Sequence, residues 1–313
     1  MNTGLNRNAL KGSLLLLLGA VIWGAAFSAQ RVGMDHVGPL TFSGVRMLLS
    51  GLVLIPFSRW SETRHDREKE KSREDIRLQR KAGILCGAFL CVATTLQQIG
   101  LVTVSAGKAG FITALYVVLV PIAGWVIFRS HAGWVVWIGV LMAVAALYLL
   151  CVPSGGFRVE QGDLLLVGCA VCFTGQILCV DRFAPQVNGM ALARDEFLFS
   201  GALCMAAALV AEPFSPDGIL EAAFPILYTG IMSGAVGYTL QIYGQRLVDP
   251  TVASLLMCME SVFAVMTGVV LLGERMTGRE AAGCALMFAA VILAQLSPLL
   301  SGRRNPGGLT RTR

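Results

Sequence analysis

Hydrophobic and polar positions alternate along this chain on the scale of whole segments, with long apolar runs separated by short polar or Gly/Pro-containing breaks. Runs such as 13–27 and 131–151 approach the ~20 apolar residues with which an α-helix crosses a ~30 Å hydrocarbon core. Such runs recur along the whole chain. The pattern predicts an all-α integral membrane protein with ten transmembrane helices, at 13–33, 39–57, 82–102, 107–128, 132–151, 162–180, 192–211, 222–244, 250–272 and 279–298.

Composition supports the membrane assignment. Hydrophobic residues make up 55% of the 313 positions and charged residues only 14%, whereas soluble domains carry about 25% charged residues. The first apolar run imitates a secretory signal, but spanning segments follow at once, so we expect an uncleaved first helix. The nine cysteines fall in apolar segments and predict no disulfide framework.

Loop charges predict the orientation. With the N-terminus inside, cytoplasmic segments hold 19 of the 25 Lys and Arg residues, as the excess of positive charge in cytoplasmic loops requires. We therefore expect a multi-pass protein of the inner (cytoplasmic) membrane with both termini in the cytoplasm. The hydrophilic insert 59–81 mixes charges of both signs and could extend a helix or remain disordered; we expect a solvated cytoplasmic loop there. Residues 299–313 would form a basic cytoplasmic tail.

The two halves of the chain resemble each other. Ser200-Gly201 lie 150 residues after Ser50-Gly51, and "TLQQIG" (95–100) resembles "TLQIYG" (239–244). Five spans per half is an odd number, so the second half would enter the membrane upside down. We expect a five-plus-five inverted repeat, 1–151 and 162–298, with a site near the midplane between the halves.

These features resemble a known family. Trp23-Gly24 in the first span, an Arg followed by small residues in the second, Pro121 within the fourth, and "LLGERMTGREAAGCAL" (271–286) are similar to the EamA-type branch of the drug/metabolite transporter superfamily. The ninth span departs from the family, because "CMESVFA" stands where Glu-Pro is frequent. The resemblance implies a secondary transporter, in many members an exporter of amino acids, other metabolites or drugs.

Two charged residues within spans are candidates for the site. An unpaired Arg deep in a bilayer costs at least ~2.5 kcal/mol, so Arg46 should face the bundle interior and meet an anion or carbonyl groups there. Glu260 lies near the midplane, where a carboxylate is protonated or paired. Arg46 could line the substrate path or form a purely structural bond. Glu260 could carry a coupling proton or bind a substrate amine, and a static ion pair between Arg46 and Glu260 is the alternative. Glu196, aligned with Arg46 in the repeat, is expected at the interfacial start of a helix.

Five further residues complete the candidate set for substrate binding or coupling. Gln97 and Gln241 are equivalent in the repeat, and their amides can bond substrate or neighbouring helices. Trp23, Tyr116 and Tyr238 could form an aromatic wall of a cavity or pack between helices. The G-x-x-x-G spacings at 83/87 and 230/234 predict close helix contacts.

No catalytic motif is evident. "SAGKAG" (105–110) lacks the upstream Gly and the Ser or Thr of a phosphate-binding loop, and no H-E-x-x-H or G-x-S-x-G spacing occurs. We therefore expect no enzyme activity, no metal and no cofactor. The leading hypothesis is an efflux transporter of small organic solutes by alternating access, with the lipid bilayer as its surroundings and no nucleic-acid partner. A membrane-embedded sensor or enzyme is the alternative, a channel is disfavoured, and a homodimer is left open.

Overall fold

The computed structural model describes residues 7–65, 72–104, 106–129, 132–152, 160–272 and 276–300. Every regular element in these ranges is helical. The α-helices are α1 (Arg7–Gly33), α2 (Pro39–His65), α3 (Arg73–Thr103), α4 (Ala106–Ala114), α5 (Tyr116–Phe128), α6 (Trp134–Cys151), α7 (Gln161–Phe183), α8 (Gly189–Ala211), α9 (Pro216–Glu221), α10 (Ala223–Leu227), α11 (Thr239–Gln245), α12 (Pro250–Met257), α13 (Met259–Leu272) and α14 (Gly278–Leu300). A 3-10 turn (Ala184–Gln186) follows α7, and a π-helix (Tyr228–Tyr238) joins α10 to α11.

Eight stretches of the described chain are long and apolar enough to cross a membrane. Large apolar side chains cover their outer surface, as with Leu141 (68% exposed) and Leu164 (78% exposed), which is expected where lipid is the solvent. Two predicted spans are not among the eight. The span 192–211 falls on α8, which carries three successive charged residues at 194–196, and the span 222–244 is divided among α10, the π-helix and α11.

The insert 59–81 is largely helical where it is described, which is the helical extension that its sequence left open. Helix α2 continues to His65, and α3 already begins at Arg73. Ser72 and Asp75 form a reciprocal capping box at the start of α3, so the polar sequence itself supplies a helix start. Residues 66–71 lie outside the described ranges, as do 301–313 of the predicted tail.

Helices α2 and α8 pack closely in antiparallel orientation. A Cβ added to Gly201 would lie 2.7 Å from the amide nitrogen of Leu48, and one added to Gly51 would lie 2.6 Å from the Leu198 side chain. These contacts are reciprocal, since each member has its counterpart 150 residues away. Glycine at both positions is what permits the approach, because any side chain would overlap the opposite helix.

Two serines on these helices make equivalent hydrogen bonds. The Ser50 hydroxyl donates to the Gly230 carbonyl in the π-helix at 2.7 Å, and the Ser200 hydroxyl donates to the Gly87 carbonyl in α3 at 2.6 Å. Both serines are buried. Each bond therefore ties one member of the α2/α8 pair to a different neighbouring helix.

Reciprocal contacts recur elsewhere. Gly244 of α11 packs against Leu16 of α1, and Gly100 of α3 packs against Leu166 of α7. Between α6 and α14, a Cβ on Gly139 would lie 3.2 Å from the Ala290 carbonyl, and one on Gly283 would lie 3.1 Å from the Ala146 carbonyl. The expected G-x-x-x-G contacts also occur within the chain, at 83/87 against α8 and at 230/234 against α2.

Candidate functional site

A partly open cavity lies between the helices, with about 590 Å³ of empty space when the part open to solvent is included. All seven candidate residues line it, together with ten further residues that the sequence reasoning did not single out. The complete lining is Trp23, Ala26, Phe27, Gln30, Arg46, Thr94, Gln97, Thr113, Tyr116, Phe173, Gln176, Ile177, Ser233, Tyr238, Gln241, Met257 and Glu260. Polar side chains such as Gln30 and Gln176 within apolar spans were the signal that could have identified more of these positions.

Arg46 reaches the cavity from α2 without a polar partner. Its side chain is buried, with 7% of the residue exposed. No hydrogen bond or ion pair joins the guanidinium to a described residue, and Nε is fully buried and unpaired. The Arg46 Cζ atom lies 5.8 Å from the centroid of the Phe42 ring. A buried cation without a counter-ion is costly, so an anionic group that entered the cavity would find an unpaired cation here.

Glu260 contributes a carboxyl group to the same cavity from the first turn of α13. The residue is 8% exposed, and no hydrogen bond or ion pair to a described residue is formed. No nitrogen of Arg46 lies within 4.0 Å of a Glu260 oxygen. The static Arg46–Glu260 pair weighed from the sequence is therefore absent. The cavity instead holds an unpaired guanidinium and an unpaired carboxyl group.

Both helices that bear the fourth and ninth predicted spans are interrupted beside the cavity. One is interrupted at Leu115, between α4 and α5, and the other at Cys258, between α12 and α13. The Cys258 thiol contacts the Ala114 carbonyl at 3.6 Å, so the two interruptions meet. Tyr116 follows Leu115 directly, Glu260 lies two residues after Cys258, and both line the cavity. Irregular backbone within a membrane is tolerated where it lines a cavity.

The π-helix supplies a further wall of the cavity. The Trp23 indole nitrogen donates to the Ser233 carbonyl at 3.1 Å, and the Tyr228 hydroxyl donates to the Ile22 carbonyl at 2.9 Å. Tyr238 makes edge-to-face contacts with Trp23 and with Phe197, at 5.1 Å between ring centroids in each case. The aromatic wall expected from the sequence thus brings Trp23 and Tyr238 together. Segments of π-helix are frequent at functional sites.

The two equivalent glutamines lie in different environments. The Gln241 amide donates to Gln176 Oε1 at 3.0 Å and to Gln245 Oε1 at 2.9 Å, and Gln245 donates to the Ile177 carbonyl. The Gln241 carbonyl oxygen accepts no hydrogen bond from a described residue, and neither group of the Gln97 amide is bonded to one. Gln241 can therefore offer the cavity an acceptor, whereas Gln97 can offer a donor or an acceptor.

Glu196 lies behind the cavity wall, which corrects the interfacial position expected for it. It is the eighth residue of α8 and is 0% exposed. Its Oε1 accepts a hydrogen bond from Gln176 Nε2 at 2.8 Å, and its Oε2 is buried without a partner. The polar neighbours at 194 and 195 suggested a helix end, but Asn188 caps α8 two turns earlier.

Within the described residues, no group of three or more His, Cys, Asp or Glu side chains is arranged to hold a metal ion. The Gly-Glu at 273–274, the sharpest element of the family resemblance, lies outside the described ranges.

Comparison with known proteins defines the class. The model of the EamA-like transporter family matches residues 10–152 and 160–296. This chain therefore belongs to the EamA-like transporter family, and it is a multi-pass membrane transporter of small molecules.

Individual relatives agree with this assignment. An uncharacterized transporter of Archaeoglobus fulgidus is 28% identical, with 92% of this chain and 86% of that protein covered. The S-adenosylmethionine/S-adenosylhomocysteine transporter of Chlamydia muridarum is 25% identical, with 88% and 90% covered. A solved crystal structure has the same fold, with a TM-score of 0.74, 19% identity, and coverage of 94% of this chain and 98% of that one.

Proposed function

We propose that this chain is a secondary exporter of solutes that carry both a carboxylate and an ammonium group, such as amino acids and their derivatives. The observation that carries the proposal is the presence of Arg46 and Glu260, unpaired, in one cavity. The Arg46 guanidinium would bind the solute carboxylate, and the Glu260 carboxylate would bind its ammonium group. Binding would then form two ion pairs, one between the guanidinium and the solute carboxylate and one between the Glu260 carboxylate and the solute ammonium group. Each of these four charges would be costly to bury alone.

The remaining lining fits such a solute. The free carbonyl oxygen of Gln241 is an additional acceptor for an ammonium group, and the Gln97 amide can bond either group. Trp23, Tyr116 and Tyr238 provide apolar area for a side chain. The Chlamydia muridarum relative is named for two solutes that contain an amino acid group, which supports this substrate class.

The proposed mechanism is alternating access between two inverted five-helix repeats, 13–151 and 162–298, that together provide ten transmembrane helices. The reciprocal contacts support this architecture. Each contact made by a helix of the first half has a counterpart made by the equivalent helix of the second half, within the pairs α2/α8 and α6/α14 and between the pairs α1/α11 and α3/α7. The meeting of the interrupted helices at Leu115 and Cys258 provides a second equivalence beside the cavity. Rocking of one bundle against the other would expose the cavity to each side in turn.

Transport of radiolabelled amino acids by purified protein in lipid vesicles tests the proposal. Wild-type vesicles should exchange a neutral amino acid. Competition should require both charged groups, so the matched amine without a carboxylate and the matched acid without an ammonium group should compete poorly. A protein that exchanges neither amino acids nor their derivatives would contradict the proposed function.

Variants separate the two charges. Arg46→Ala and Glu260→Gln should each weaken apparent affinity by about 10- to 100-fold, since a hydrogen bond to a charged group contributes about 1.5–3 kcal/mol. Glu260→Gln should weaken binding of the amine competitor selectively, and Arg46→Ala that of the acid competitor. Glu221→Gln is the matched control, because its exposed carboxylate lies outside the cavity and pairs with His36. Equal loss for both competitors in both variants would contradict the assignment of roles.

A further inference from the structure

We propose that Glu196 is the proton-coupling residue of this transporter: its carboxyl group takes up and releases the proton whose movement drives the exchange of solute. The inference rests on the proposed function for the solute itself. It assigns a role to a side chain that does not line the cavity and that no relative's name addresses. Solute binding and proton binding would then occupy different carboxyl groups, Glu260 and Glu196.

The burial of Glu196 is the first argument. Its side chain is fully buried at about 10 Å along α8, and no Lys, Arg or His nitrogen of a described residue lies within 4.0 Å of its oxygens. The single hydrogen bond from Gln176 leaves Oε2 without a partner. An ionised carboxylate is strongly disfavoured in such surroundings. Glu196 is therefore protonated while it is enclosed and can lose its proton only when water reaches it.

The groups that face Glu196 supply no alternative charge. Gln176 and Cys179 face it from α7, Cys86 from α3 and Tyr238 from the π-helix. All four are neutral polar groups at physiological pH. Arg46, on the adjacent helix α2, makes no ion pair with it, and the nearest charges on its own helix are Arg194 and Asp195, which pair with each other.

The position of Glu196 between two polar regions is the second argument. On one side, Gln176 joins it to the cavity by a single hydrogen bond. On the other, Arg194 and Asp195 form a partly exposed cluster with Glu62. Glu196 thus lies between the solute cavity and a partly exposed, charged end of the bundle. Buried carboxyl groups in such positions serve as proton relays in membrane transporters.

The proposed step is balanced. The Glu196 carboxylate accepts one proton from water on the side of higher proton concentration and becomes a neutral carboxylic acid. After the bundle rearranges, the same proton passes to water on the opposite side and the carboxylate re-forms. The transmembrane proton gradient is the driving co-reactant, and solute moves in the opposite direction.

Vesicles with and without an imposed pH gradient test this role. Glu196→Gln should still exchange labelled amino acid without a gradient, because the amide keeps an acceptor for Gln176, but an imposed pH gradient should no longer raise its accumulation above the level reached without a gradient. Glu212→Gln is the matched control, because that carboxylate at the end of α8 caps α2 far from the cavity and should leave accumulation intact. Wild-type accumulation by Glu196→Gln would overturn the proposal.

Two further measurements keep the proposal testable if that variant does not fold or the solute class is wrong. Glu196→Asp retains a carboxyl group at a shorter reach, so it should keep gradient-driven transport with a displaced pH dependence; an unchanged pH dependence would count against the proposal. Infrared difference spectra between acid and alkaline pH need no solute. They should show a protonated-carboxyl band in the wild type that shifts in Glu196→Asp, and an identical band in both proteins would overturn the proposal even if amino acids are not transported.

Discussion

The geometry of the Arg46 guanidinium decides which substitutions it tolerates. If the guanidinium binds a carboxylate through two parallel N–H···O hydrogen bonds, a lysine cannot replace it, because an ammonium group on a flexible side chain does not offer two donors in this fixed geometry. We therefore expect Arg46→Lys to weaken transport nearly as much as Arg46→Ala, by about 10-fold or more. Apparent affinity in the vesicle exchange assay measures the difference. Wild-type affinity in Arg46→Lys would show that only the positive charge matters.

The absence of an Arg46–Glu260 ion pair gives a second prediction for these residues. If the two charges merely neutralised each other, the double variant Arg46→Ala/Glu260→Gln would recover stability that each single change loses. Because they are not paired in the structure, we expect their effects on the free energy of unfolding to add within about 0.5 kcal/mol. Thermal unfolding of the wild type, both single variants and the double variant in detergent provides the measurement. A double variant more stable than either single variant would indicate a direct pair.

Sequence reasoning located individual polar residues well but not their partners. Charges and amides within apolar spans had to face the bundle interior, and all seven candidates indeed line one cavity. Which polar side chains form hydrogen bonds with each other depends on the rotation of each helix about its axis and on its depth in the membrane. The apolar composition of a span specifies neither. The same limit explains Glu196, whose charged neighbours in the sequence suggested an interface while its own side chain faces α7.

At the scale of helices, close approach at glycines should dominate stability. Gly201→Ala places a methyl group 2.7 Å from backbone of α2, and overpacking of this kind typically costs 1–3 kcal/mol. Gly110→Ala is the matched control, because an added Cβ meets nothing within 4 Å there and alanine favours the helix by ~1 kcal/mol. We expect a lower unfolding temperature for Gly201→Ala and an equal or higher one for Gly110→Ala. The reverse order would contradict the packing of α2 against α8.

Helix continuity was the least predictable feature. The ninth span lacks the proline frequent in the family, yet it is interrupted at Cys258 just as the fourth is interrupted at Leu115. The π-helix in the eighth span has no sequence signature beyond its small residues. Both features arise where helices cross at the cavity and backbone groups find tertiary partners, as with the Ser233 carbonyl and Trp23. Local propensity alone does not encode such partners.

At the scale of the whole molecule, the two halves of the proposed repeat are similar in how their helices pack but differ in the polar side chains that they place at or behind the cavity wall. The reciprocal glycine and serine contacts join equivalent positions in the two halves. By contrast, Arg46 and its repeat counterpart Glu196 carry opposite charges, and Gln97 is free where Gln241 is bonded to two glutamines. A symmetric scaffold with one asymmetric site would suit the proposed alternating access, because two states with similar packing would each present the same site to the solute.

Orientation in the membrane is the last property that loop charges predict. Cytoplasmic segments of the N-in arrangement hold 19 of 25 Lys and Arg residues, and retention of positive charge in the cytoplasm fixes topology. A reporter active only in the cytoplasm should be active when fused after residue 313 and silent when inserted within 153–159. A reporter inserted within 66–71 is the control. Like the reporter within 153–159 it interrupts the chain between two helices, but it should be active because this segment is predicted to be cytoplasmic. Activity within 153–159 with silence at the C-terminus would reverse the predicted orientation.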